Sequence, residues 1–256
     1  MPDPHIARLY YRLDHGDTVD FTNAGPLEHE TDEFNVRIES LKAVFELKTH
    51  FADVPSARAA VEAFTRAWEI RADLRSGREI KFKYDHADII DRDPKPCDVT
   101  VFTEGFSRTR GFGKPMLKIE DSKYPDAPVD FVASQDVETM YSRYVRFRNG
   151  AEPLASMAYF CLTVIEDSAG TKGKRQRAAS MYGIDEPILK KLGDLVSTAG
   201  GAEARKAEGK AVQYSAEQCN WIAAAVRLLI WRAGEAARDP KVSQQRLTMK
   251  DLPTLP

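Results

Sequence analysis

Apolar and polar positions alternate through much of the first third of the chain. Arg8-Leu-Tyr-Tyr-Arg-Leu13 reads as a short strand ended by the turn-forming Asp14-His-Gly-Asp17. Phe34, Val36 and Ile38 then share one face, with Asn35, Arg37 and Glu39 on the other; the pattern resumes with Ala43, Phe45 and Leu47 against Lys42, Glu46 and Lys48. A period of two over this stretch predicts two hairpin strands or one long bent strand. Behind Pro55 the period changes. Ala57, Ala60, Val61, Phe64, Ala67, Trp68 and Ala72 fall at steps of three and four, and Ser76-Gly77 stops the helix they predict. Ile80, Phe82 and Tyr84 against Lys81, Lys83 and Asp85 return to the strand period. Strand, helix and strand in one segment predict an α+β domain, its helix laid on a mostly antiparallel sheet.

The stretch 91–133 is the least regular. Val99–Phe102 is a strand candidate, Gly105–Pro115 has the composition of a loop, and Tyr124-Pro-Asp-Ala-Pro128 is rich in turn formers. Beyond it the pattern is helical. Ser134 caps a helix carrying Val137, Met140, Tyr141, Tyr144 and Val145, which ends at Asn149-Gly150. Pro153 opens another, with Leu154, Met157, Cys161, Val164 and Ile165 inward. A short helix near Arg175–Tyr182 precedes one starting near Asp185. The last opens with Ser215-Ala-Glu-Gln218, a capping box, presents Trp221, Ala225, Leu228 and Leu229, and stops before Pro240. The expected organisation is an α+β domain over 1–133, an all-α helical-bundle domain over 134–240, and a loosely ordered polar tail over 241–256.

Composition narrows the function classes. Of 256 residues 43% are hydrophobic and 30% charged, enough to bury a core. No apolar run reaches the roughly 18–20 residues of a membrane span, and the Met-Pro-Asp-Pro-His start lacks a signal-peptide pattern, so no membrane partner and a cytoplasmic location are expected. Cys97, Cys161 and Cys219 are odd in number and far apart, which gives neither a disulfide framework nor a metal motif. Residues 151–256 carry 15 Lys+Arg and 12 Asp+Glu, a net of +3, against −5 for the rest. A polyanion would therefore meet the helical half more readily.

Two basic turns stand out there. One holds Lys174, Arg175 and Arg177; the other, rich in glycine, holds Arg205, Lys206 and Lys210. Brought together they would form a cationic surface for phosphates, and left apart they are solvated turns. The Gly105–Pro115 loop has Gly, Phe and Arg suited to stacking bases, but Arg108 and Pro115 stand where a phosphate-binding P-loop needs Gly and Ser or Thr. Its phenylalanines, Phe106 and Phe112, equally suit a hairpin tucked onto the sheet.

All five histidines precede residue 87. Any acid-base or metal chemistry of imidazole must lie in the first domain, where His29 has Glu30, Asp32 and Glu33 nearby and His86 lies between Asp85 and Asp88. No second histidine follows either at two or four residues, so no metal pair, catalytic residue or cofactor is assigned. Arg143, Arg146 and Arg148 close one helix and Glu166-Asp167 the next, opposite charges that a helical hairpin is expected to pair.

The layout of Ala151–Ala237 is similar to the HEPN-like helical domains of bacteria. The resemblance rests on Arg175 and Arg177 before one helix, Gly201-Ala-Glu-Ala-Arg-Lys206 between helices, and Ser215-Ala-Glu-Gln-Cys-Asn-Trp221 opening the last. It implies an all-helical module that pairs into a homodimer or contacts RNA, in proteins of anti-phage or toxin–antitoxin loci. The ribonucleases of that group carry an Arg, four to six residues, then a His; with no histidine after His86 the implied cleavage is lost. The expected function is a non-catalytic or catalytically degenerate HEPN-like two-domain protein that recognises a ligand, protein or RNA, with a role in bacterial defence or stress response. The alternatives are an enzyme using His29 or His86 with nearby carboxylates, in the first domain or an interdomain cleft, and an assembly protein.

Overall fold

The computed structural model describes residues 3–16, 19–21, 23–92, 119–120, 122–170, 173–198, 213–241 and 246–255. The chain divides into two compact units, Met1–Pro128 and Val129–Pro256. This places the change of unit a few residues before the expected 133, because Tyr124 and Ala127 are buried in the first unit and Phe131 against the last helix of the second.

The first unit is built on five strands: β1 (Pro4–His15), β3 (Leu27–Glu30), β4 (Phe34–Glu39), β5 (Lys42–Leu47) and β6 (Ile80–Asp91). They run in the order β3-β4-β5-β1-β6, every neighbour antiparallel. Val19–Asp20 (β2) and Ile119–Glu120 (β7) form a separate two-residue parallel pair. The Phe34–Phe51 stretch resolves into two strands joined by a tight turn at Ser40 and Leu41, both in left-handed backbone with φ of 52° and 62°. β3, unlike its neighbours, has Leu27 as its one aliphatic residue, which is why alternation does not reveal it.

α1 (Val54–Ser76) covers one face of the sheet. Asp53 caps it, accepting from the Ser56 N–H at 2.8 Å, and Gly77 ends it in left-handed backbone. Ala57, Val61, Ala67, Trp68 and Ala72 are buried as the spacing predicts. Ala57, Val61, Trp68 and Ala72 pack with Ile6, Leu9, Leu13, Val36, Ile38 and Phe45 from the inner sheet face. Trp68 is fully buried, and its indole N–H donates to the Pro125 carbonyl at 2.9 Å. Full burial of one such side chain is worth about 3 kcal/mol.

Two bulges set the faces of β1 and β6. Ala7 is an extra residue on β1 between the pairs Ile6–Ile89 and Arg8–Asp88; Asp85 is an extra residue on β6 between Tyr10–His86 and Tyr11–Tyr84. Ala7 lets Ile6 and Leu9 both face the core with Arg8 outside. Asp85 moves His86 to the outer face, where strict alternation after Phe82 and Tyr84 would have turned it inward.

The second unit contains α2 (Gln135–Arg148), α3 (Leu154–Ser168), α4 (Lys174–Met181), α5 (Glu186–Thr198) and α6 (Ala216–Arg238). Ser134 and the Ser215–Gln218 capping box start α2 and α6 as expected. α3 is the central helix, packed against α2, α5 and α6. The described tail is not loose. Leu247 pairs in parallel with Ile184, exchanging backbone bonds of 2.8 Å with Asp185 and Gly183, and Leu252 is buried. An aliphatic residue within a polar stretch supplies the anchor that composition hides.

Candidate functional site

Register turns the outer face of the first unit's sheet into three cross-strand rows. Glu28, Arg37, Val44, Tyr10 and His86 lie in line across β3, β4, β5, β1 and β6. On one side of this row run Glu39, Lys42, Arg12 and Lys83; on the other run Glu30, Asn35, Glu46, Arg8 and Asp88. Rows two residues apart along a strand are separated by roughly 7 Å. The face therefore carries a row with three adjacent cations ended by Glu39, a central row with aromatic rings, and a row of three carboxylates in which Arg8 stands between Glu46 and Asp88.

The central band is defined by Tyr10 and His86, whose rings lie parallel within 6° at a centroid distance of 4.2 Å. The Tyr10 hydroxyl donates to Asp88 at 2.8 Å, and burial, then that bond, raises its pKa. His86 Nδ1 lies 3.1 Å from Asp85 Oδ2, a contact that orients the ring when Nδ1 carries the proton. In the cationic band Lys42, Arg12 and Lys83 are direct cross-strand neighbours, an arrangement that disfavours the sheet. Asp14 relieves part of it by pairing with both Arg12 and Lys83, and its carboxyl is held below its ordinary value by those bonds against its own burial. Arg8 bridges to Glu46 at 3.1 Å, and Arg37 to Glu28 and Glu39, both at 2.9 Å.

His29 is not part of this face. Its β3 position opposite Val36 is an inner one, and its ring stacks on Phe64 of α1 at 5.6 Å and 10°. Burial holds its pKa below the ordinary value. His29 and His86 thus lie on opposite faces of the sheet; Asp85 and Asp88 accompany only His86. Among the described residues no group of three or more His, Cys, Asp or Glu is arranged to hold a metal ion.

The cations of the second unit sit differently. Arg175 Nε donates to Glu166 at 2.6 Å, and its guanidinium lies against Gly193 of α5, where an added Cβ would meet Nη2 at 2.8 Å. Lys174 pairs with Asp167, and Arg177 lies near Gly170. α4 is therefore bound to the end of α3 by the acidic residues expected to serve α2. Arg143 instead meets Glu152 at 2.6 Å, with Arg146 at 3.7 Å. The reason is geometric: an antiparallel hairpin sets the start of α3 beside the end of α2, while Glu166 lies about 18 Å further along the axis. Beside Glu152, the Cys161 thiol is pushed up to about 12, chiefly by burial, which makes it inert. Arg205, Lys206 and Lys210 lie outside the described residues, as do Gly105–Pro115 and Val99–Phe102.

Sequence patterning marks the outward charges of β4, β5 and β6 but misses the bands, because Tyr10 lies on an unmarked face of β1 and the Asp85 bulge inverts His86. No helix among the described residues is long and apolar enough to cross a membrane. No family model matches the chain, and neither a curated protein nor a solved structure does.

Proposed function

We propose that this chain is a non-catalytic recognition protein whose banded sheet face engages a partner protein. The observation that carries the reading is the run of Lys42, Arg12 and Lys83 set parallel to a row of Glu30, Glu46 and Asp88 in which Arg8 is the one cation, with Tyr10 and His86 between the rows. The run of three cations costs the sheet a few tenths of a kcal/mol to about 1 kcal/mol per neighbouring pair, part of which Asp14 relieves. The rows are matched by a partner carrying the opposite bands, and the central rings supply the contact area typical of interface anchors. A uniformly anionic RNA meets attraction from one band and repulsion from the other, so protein is favoured over RNA. The helical unit is the HEPN-like module in this reading: it pairs two copies, and a place in bacterial defence or stress response follows from that resemblance alone.

The test is co-purification of the tagged full chain from cells that make it, wild type against Arg12→Glu with Lys83→Glu, each with and without ribonuclease. A stoichiometric protein that survives ribonuclease and is lost from the variant supports the reading. Loss on ribonuclease transfers recognition to RNA. Equal recovery with both chains removes the sheet face from recognition.

One observation favours a second reading, an enzyme. Asp85, His86 and Tyr10 place an oriented imidazole beside a phenol on an exposed strand. Such a site predicts that His86→Gln abolishes turnover of a small substrate.

A further inference from the structure

At the end of the sheet where β1 begins, His5 and His50 meet head to head. Their Nδ1 atoms are 3.3 Å apart and their ring centroids 5.2 Å. His5 is buried, 7% exposed, while His50 in the β5–α1 connection is open to solvent. His50 Nε2 lies 3.6 Å from Asp3 Oδ1. With the His50 proton on Nε2, the nitrogen nearer that carboxylate, His50 Nδ1 accepts from His5 Nδ1–H. The same corner is tied by three backbone-donated bonds of 2.9 Å: Ile6 N–H to the Phe51 carbonyl, Arg92 N–H to the Asp3 carbonyl, and Asp3 N–H to Asp91 Oδ1.

We propose that His5 and His50 form a proton-operated latch, holding the start of β1 to the β5–α1 connection until the pair is doubly protonated. One added proton is accommodated, since an imidazolium still donates to a neutral imidazole. Two leave donors facing donors and like charges 3.3 Å apart. Asp3 and Asp91 face this corner from the strand ends and offset part of the repulsion, and Arg92 adds to it. Asp53, three residues beyond His50, is engaged by the Ser56 N–H and hydroxyl at the head of α1. Burial, then Arg92 and His50, hold the His5 pKa below its ordinary value, as a buried member of a shared-proton pair requires. Opening frees Ile6 from the core beside Ile89 and Ile90, which are already half exposed at the end of β6. The latch thus couples acid to exposure of an apolar strand end.

The experiment is amide hydrogen exchange on the full chain at pH 7.5 and pH 5.0, corrected for intrinsic pH dependence. The latch predicts that the Ile6 and Arg92 amides accelerate by about tenfold in acid while the Phe34–Leu47 hairpin changes by less than about twofold. His50→Asn keeps an acceptor for the His5 N–H without titrating, and it is expected to cancel the acceleration. Equal acceleration in that variant overturns the latch, and so does a uniform rise across the hairpin, which marks global unfolding. Histidine nitrogen resonances of the wild type give a check independent of the variant's folding. Two separated protonation steps support the pair, and two independent ordinary titrations overturn it.

Discussion

Gly234 on α6 allows the backbone to approach the fully enclosed Phe131. A Cβ there would sit 2.1 Å from Phe131 Cε2 and 2.4 Å from Cδ2, and Phe131 is 2% exposed. Gly234→Ala gains about 1 kcal/mol of helix propensity but forces a buried ring to move, a net loss of about 2–3 kcal/mol. The denaturation midpoint of the variant is expected to fall; a rise would show that the ring relocates freely. The histidines of the first unit give a second prediction at this scale. His5 and His29 both sit below the ordinary 6.5, burial being the largest cause for each. The folded chain then binds fewer protons than the unfolded chain just below that value, so stability is full above pH 6.5 and falls as the pH drops through it. Urea midpoints are expected to be lower at pH 5.5 than at pH 7.5, a window above most carboxylate titrations, and equal midpoints would contradict the burial of these rings.

At the scale of elements, much of the architecture was legible in the sequence. The α1 spacing, the Ser134 cap and the Ser215–Gln218 capping box are local signals, and local physics sets them. What escaped depends on partners distant in the chain. β3 is a strand because Arg37 and Val36 lie beside it, the tail is ordered because Ile184 receives Leu247, and the bulges at Ala7 and Asp85 exist only as a relation between two strands. Helix charges followed the same rule, since Glu152 in the α2–α3 connection takes Arg143 and Arg146, while Glu166 takes Arg175. Arg143→Ala leaves the Glu152 carboxylate, which is 6% exposed, with only the longer 3.7 Å contact to Arg146, and removes the cation over the Phe160 ring. Because the Arg143 side chain is about one-third exposed, the expected loss is about 2 kcal/mol rather than the full cost of an orphaned buried charge. Calorimetry on Arg143→Ala and Arg143→Ala/Glu152→Gln checks it: the second change is expected to recover part of the loss by discharging that carboxylate.

For the whole molecule, the α+β unit and the helical unit divide the candidate chemistry unequally. The second unit pairs Lys174 and Arg175 with acidic residues at the end of α3, whereas the first spreads its ion pairs, Arg12 and Lys83 with Asp14 and Arg8 with Glu46, over an exposed sheet face. The candidate site was half legible for this reason. Outward charges follow from alternation, but the run of three neighbouring cations beside the ring row needs the register of β5, β1 and β6. Val44 lies at the middle of that face, between Arg37 and Tyr10. Ala63 lies on the exposed side of α1, away from it. The most direct measurement is photo-crosslinking of the full chain in the cells that make it, from a benzoyl-phenylalanine at position 44 and, separately, at position 63. Recognition through the banded face predicts a discrete protein adduct from position 44, lost on Arg12→Glu with Lys83→Glu, and none from position 63. Adducts from position 63 alone, or from both positions and insensitive to charge reversal, would contradict it.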